Sequence, residues 1–227
     1  MDRVIPIHEQ VERPLSTVLP SQVVESLIKA ASHRFIMNEC ICRRAGDCQS
    51  YPIDLGCIFL GEAVLSITPA MGRLVTEEEA LAHARRCREL SLVHLVGHMK
   101  MDSVVFGAWP ERKLLSICNC CPCCCVMKTI PDLPNQIGDR ITRMPGVHVR
   151  VTDACVGCGL CTEGVCFVDA IQMDGRGALI GDACRGCGRC VDVSPQGAIE
   201  LTVSDTEYVQ KTIDRLRSAA QIEGSGD

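Results

Sequence analysis

The sequence predicts an α+β protein in two parts, a mainly helical cysteine-rich N-terminal domain and a smaller C-terminal domain built on an internal repeat. Three observations carry this. Of the 227 residues 18 are cysteine and only 3% are aromatic. Apart from Cys87, the cysteines fall in three groups, at residues 40–57, 118–125 and 155–190. Asp153 to Cys161 returns as Asp182 to Cys190, 29 residues later, and Ala170-Ile171 returns as Ala198-Ile199. The expected layout is a cysteine-rich domain over 1–130, a linker over 131–145, the repeat domain over 146–203, and a C-terminal helix and tail over 204–227.

Met1 to Pro20 is polar with three prolines and reads as an extended arm. A helix follows from Ser21 as N-cap to about His33, because Val23, Val24, Leu27, Ile28 and Ala31 recur on one face. Cys57 to Thr68 is an apolar stretch, read as a buried helix or strand that stops at Pro69. Thr76 and Glu79 have capping-box spacing, which starts a helix that continues through Ala80 to Leu90. Cys87, alone within that helix, reads as a buried free thiol. Short strands are expected at Leu92–Val96 and Lys113–Ile117. His94 and His98 read as structural groups ahead of metal ligands. Pro131 to Pro145 holds three prolines with Asn135 and Gly138, the composition of a linker. Beyond it, Val147–Val151 and Ile199–Val203 read as strands, and Tyr208–Ala220 as an amphipathic helix through Val209, Ile213 and Leu216.

Chemistry concentrates in the cysteines. Cys40-Ile-Cys42-Arg43-Arg44 and Cys48 place three thiols beside two arginines, whose charge can offset thiolates. Cys57 begins an apolar run and reads as buried. Cys118-Asn-Cys120-Cys121-Pro122-Cys123-Cys124-Cys125 sets six thiols in eight residues, with a proline turn directing several to one side. Metal or cluster binding is the expected use of this run. In the C-terminal part, Cys155-x-x-Cys158-x-x-Cys161 and Cys184-x-x-Cys187-x-x-Cys190 each put three thiolates on one glycine-containing loop. That spacing wraps an iron-sulfur cube while a fourth ligand comes from elsewhere. Gly157, Gly159, Gly186 and Gly188 let the loop backbone approach sulfur.

This last segment resembles the bacterial two-cluster ferredoxin. The resemblance implies that three cysteines of each motif hold one 4Fe-4S cluster and the fourth ligates the other. One complete set is then Cys184, Cys187, Cys190 and Cys166. The other is Cys155, Cys158 and Cys161 with Ser194 in the fourth place, where a harder oxygen donor replaces a thiolate. A 3Fe-4S centre, a serine-, water- or otherwise ligated 4Fe-4S centre, or a cluster completed by another residue would each satisfy that set. The first 130 residues resemble an anaerobe iron-sulfur family through Cys40–Arg43, Gly56–Gly61, Glu78–Ala80, Leu92–His94 and Ile117–Cys125. One or two further iron-sulfur centres are expected there, drawn from Cys40, Cys42 and Cys48 with members of Cys118, Cys120, Cys121, Cys123, Cys124 and Cys125. Such clusters would substitute for part of the missing aromatic core.

The same features exclude several classes. Adjacent and i,i+3 cysteines suit a metal better than disulfide pairing. The chain also starts without a charged segment followed by an apolar one, so a reducing, cytoplasmic and anaerobic setting is expected. No apolar run approaches the roughly 18 residues that span a bilayer. From Gly146 onward there are 12 acidic and 7 basic residues against 16 of each before it. An acidic C-terminal part argues against nucleic acid and suits docking on a basic protein. The expected function is therefore single-electron transfer to a redox partner protein, as a carrier or as an electron-transfer subunit of an oxidoreductase. A catalytic N-terminal cluster and a metal- or cluster-handling role are the alternatives. No constellation of acid, base and substrate pocket is legible, and the sequence sets no oligomeric state.

Overall fold

Leu115–Cys120 (β6) is the strand around which the protein is laid out. Five of its six residues are buried, as a strand covered on both faces requires. In this computed structural model, residues 2–5, 20–97, 100–132, 141–166, 168–204 and 206–223 are described. β6 lies fourth in a seven-stranded sheet of order β4-β2-β3-β6-β5-β1-β7. Its other strands are Asp2–Ile5 (β1), Arg34–Met37 (β2), Ile58–Leu60 (β3), Gly72–Leu74 (β4), Val93–Gly97 (β5) and Ile141–Arg143 (β7). All pairings are antiparallel except that of β1 with β7.

Helical residues outnumber strand residues in the described N-terminal part, as expected, but the sheet at its centre was not foreseen. Its strands run to three to six residues, and most pair with segments far away in the chain, so no local period announces them. Asp2–Ile5, expected as part of an extended arm, pairs with both β5 and β7. The stretch 57–68 holds two elements where one was expected. β3 ends at Leu60, and a 3₁₀ helix follows over Glu62–Ser66 with Gly61 between them. Gly61 makes the break with a φ of +101°, a conformation that a side chain resists. The expected linker opens on the last two residues of a 3₁₀ helix, Val126–Asp132, and contains the sheet strand Ile141–Arg143; residues 133–140 lie outside the described segments.

Strand alternation divides the sheet's two faces. Ile36, Ile58, Leu60, Leu115, Ile117 and Val96 face Pro20–Ala30 (α1), and Phe35, Met37, Phe59 and Leu114 face the other way. α1 buries Val23, Val24, Leu27, Ile28 and, just beyond its end, Ala31, as its periodicity predicts. It starts at Pro20, so Ser21 lies in the first turn instead of at the N-cap. Glu77–Glu89 (α3) carries the expected capping box, with Thr76 accepting from the Glu79 amide and Glu79 accepting from the Thr76 amide. Two short helices, Ile41–Ala45 (α2) and Lys100–Phe106 (α4), complete this part.

Val147–Val151 (β8) and Ile199–Val203 (β11) form an antiparallel pair with the bounds expected for both. Ile171–Met173 (β9) and Ala178–Ile180 (β10) form a second pair, and Arg189–Asp192 (α5) is a single short turn. Thr206–Ala220 (α6) packs Val209, Ile213 and Leu216 into the same hydrophobic cluster as Val147, Leu201 and the α1 side chains. The N-terminal sheet and the repeat segment thus share one core. No helix among the described residues is long and apolar enough to cross a membrane.

Candidate metal centres

The repeat builds two sets of donors in matching ways. Gly157 and Gly186 have φ of +69° and +67°, and Gly159 and Gly188 have +76° and +85°. Each loop therefore turns left-handed at the same two places, and only glycine does so without strain. Cys155, Cys158, Cys161 and Ser194 line one cavity, and Cys166, Cys184, Cys187 and Cys190 line another. These are the two sets expected from the sequence. Backbone amides point at the sulfurs, Ala178 N to Cys155 Sγ at 3.5 Å and Gly186 N to Cys184 Sγ at 3.4 Å.

Ser194 occupies the place that the repeat assigns to a ligand. Cys166 Sγ accepts from the amide four residues on, Ala170 N, at 3.3 Å. Ser194 Oγ accepts from Ala198 N at 2.9 Å. Ala170 and Ala198 are equivalent positions of the repeat, so the serine oxygen stands where the other set has a sulfur.

Burial pushes the Cys187 and Cys190 thiols up to about 12, and the neighbouring thiols reinforce this. Thiols in so apolar a pocket resist ionising unless a cation is bound beside them.

A third group lies in the N-terminal part. The sulfurs of Cys48, Cys121, Cys123 and Cys124 all lie within 4.8 Å of one another, the one group of three or more donors among the described residues that closes so tightly. Three of them follow β6, where the chain turns at Pro122. Cys48 comes from the loop after α2. That loop approaches closely because Gly46 has no Cβ; one there would meet Cys124 Cβ at 3.0 Å. Cys121 is buried and Cys123 exposed. Partial burial opposes ionisation of Cys48, yet amide hydrogen bonds from Ser50 and Tyr51 and contacts with Cys123 and Cys124 hold it below the ordinary thiol range. Burial and the Cys48 contact raise Cys123 and Cys124.

The other expected N-terminal ligands stand outside this group. Cys40 contacts Cys42, Cys120 contacts Cys125, and Cys118 contacts Cys57. The β3–β6 register aligns Ile58 with Ile117, which sets Cys57 across from Cys118. Cys57, read from the sequence as merely buried, is therefore a thiol partner. Cys87 is fully buried within α3, as expected.

Arg43 is the cation that the two neighbouring arginines left undecided. It is fully buried and donates to Asn119 O at 2.9 Å and to Leu55 O, and its guanidinium also reaches the Cys121 thiol. Arg44 is exposed and pairs with Glu39. Asn119 in turn donates to Gly56 O at 2.7 Å and accepts from His94 Nδ1 at 2.8 Å. Segments that looked unrelated in the sequence, around Arg43, Gly56, His94 and Cys118–Cys120, thus meet at one asparagine.

His94 is structural, and His98 lies outside the described residues. Complete burial pulls the His94 pKa down to about 4. Its folded value lies below the unfolded value of about 6.5, so its neutral form contributes stability above that pH, and the contribution is lost as pH falls toward 4. A His94→Gln variant should lose about 3 kcal/mol less than the wild type between pH 6.5 and 4 in denaturant titrations. Equal losses in the two proteins would refute this.

The three groups are packed in sequence. Cys155, Cys161, Cys166 and Cys190 contribute to one hydrophobic cluster with Ile171, Ala178 and Ile199. Cys166, Cys184 and Cys187 contribute to a second cluster with Cys48, Cys120, Cys121, Cys124 and Cys125. Arg189, buried between Gly188 and Cys190, ties the second set to the sheet by donating to Ser91 O and to the Tyr51 hydroxyl at 3.0 Å. No family model, curated protein or solved structure matches this chain.

Proposed function

We propose that this protein transfers single electrons between iron-sulfur clusters and a protein redox partner. The supporting observation is that Cys166 packs in both thiol-containing clusters, one holding Cys155, Cys161 and Cys190 and the other Cys184, Cys187 and Cys48, so the donor sets are joined through shared packing. Cys166, Cys184, Cys187 and Cys190 would hold one 4Fe-4S cluster, and Cys155, Cys158, Cys161 and the Ser194 position the other, as the likeness to two-cluster ferredoxins implies. The clusters would supply one-electron reduction and oxidation, at potentials set by ligand, hydrogen bonding and burial. The chain's own part is to aim amides at sulfur and to hold the sets close together. The acidic repeat segment suits a basic partner surface.

Protein purified without air is expected to carry iron and acid-labile sulfide together, about eight irons for the two C-terminal sets. It should keep them through repeated reduction and reoxidation. Passage of that iron to an apo-acceptor during the cycles would mark a cluster-handling factor instead.

A further inference from the structure

The geometry points to a single-ion site at Cys48, Cys121, Cys123 and Cys124, a tetrathiolate for one iron or zinc ion distinct from the clusters of the repeat segment. The inference goes beyond electron transfer by the C-terminal sets and stands on its own distances. A metal bound to thiolate sulfur at about 2.3 Å in a tetrahedron sets its sulfurs about 3.8 Å apart. The four sulfurs here close within 4.8 Å, and Cys48 Sγ lies 3.5 Å from Cys123 Sγ. An iron-sulfur cube instead puts each thiolate on a different iron, around a core that must fit between them. The C-terminal cysteines line two cavities, whereas the sulfurs of the Cys48 group close on one another.

The surroundings are those of bound thiolates. Two successive amides, of Ser50 and Tyr51, donate to Cys48 Sγ. The buried Arg43 guanidinium meets Cys121, and among the described residues no carboxylate pairs with it. Four thiolates on a divalent ion leave two negative charges, of which Arg43 offsets one; hydrogen bonds to ligand sulfur temper the rest. The absent side chain of Gly46 lets the Cys48 loop reach Cys124.

The test is the double variant Cys48→Ala/Cys123→Ala of the full chain, neither position being part of the fully buried core. Relative to wild type it is expected to lose about one metal ion per chain with acid-labile sulfide unchanged. Loss of about four irons with matching sulfide, or no loss of metal, would overturn the inference. Growth with cobalt(II) gives a reading on the unaltered chain. Visible bands of a tetrahedral cobalt tetrathiolate are expected, and their absence would overturn the inference even if the variant misfolds. Iron or zinc at the site both support it, iron extending the relay and zinc fixing the loop. Wild-type sulfide content reports separately on the C-terminal clusters, so failure of the electron-transfer reading is distinguishable.

Discussion

Arg43→Met is expected to cost about 3–5 kcal/mol and to empty the metal site proposed at Cys48, Cys121, Cys123 and Cys124, because it strips a buried charge from beside it. The guanidinium is wholly buried, and its fork is spent on Asn119 O, Leu55 O and the Cys121 thiol. Methionine fills similar space but leaves both carbonyls without their donor, and each buried unsatisfied group costs about 1–3 kcal/mol. The larger loss is expected in metal content, since a tetrathiolate at the proposed site would carry excess negative charge that Arg43 offsets. Arg43→Lys should fall between, keeping the charge but not the planar fork. Thermal unfolding and metal content of the three proteins decide this. A methionine variant as stable and as fully loaded as the wild type would show that Arg43 is not the counter-cation.

Gly61→Ala is expected to destabilise the fold by about 4 kcal/mol or more, through two effects that add. The residue sits at φ +101°, and a Cβ there would lie well inside contact distance of Lys113 O and 3.1 Å from its carbonyl carbon. Lys113 directly precedes the approach to β6, so any backbone shift there propagates into the strand that carries Cys118 and Cys120. Gly107→Ala separates the two effects. It has φ +66° with nothing within 4 Å of a Cβ, so it should cost only about 1–2 kcal/mol from the backbone. The melting temperature of Gly61→Ala is expected to fall by roughly 10 °C or more. Equal small effects of the two substitutions would refute the steric argument.

What the sequence disclosed follows the range of the interactions involved. Val147–Val151 and Ile199–Val203 alternate within five residues, and α1 and α3 show their apolar faces and capping box within a few turns, so these elements were legible. The repeat also made Ser194 visible as the equivalent of Cys166. The sheet was not legible, because β1 meets β5 and β7 across 90 and more residues and four residues carry little periodicity. Pairing of Cys48 with the 118–125 run was foreseen. That Cys40 and Cys42 stand outside the close group of four sulfurs was not legible, because it depends on Cys40 sitting at the N-cap of α2 and Cys42 within it. Arg43 and Arg44 differ by one helical step of about 100°, which buries one and exposes the other. Only the packing of α2 against Leu55 and Asn119 decides which.

The most direct test is low-temperature electron paramagnetic resonance of the anaerobically purified protein during stepwise reduction, with metal and sulfide measured on the same sample. Two donor sets sharing the packing around Cys166 predict iron-sulfur signals that broaden one another once both centres carry an electron. Iron-sulfur signals that never interact at any stage of reduction, or a protein containing zinc but neither iron nor sulfide, would contradict a relay running from the Ser194 set toward Cys48.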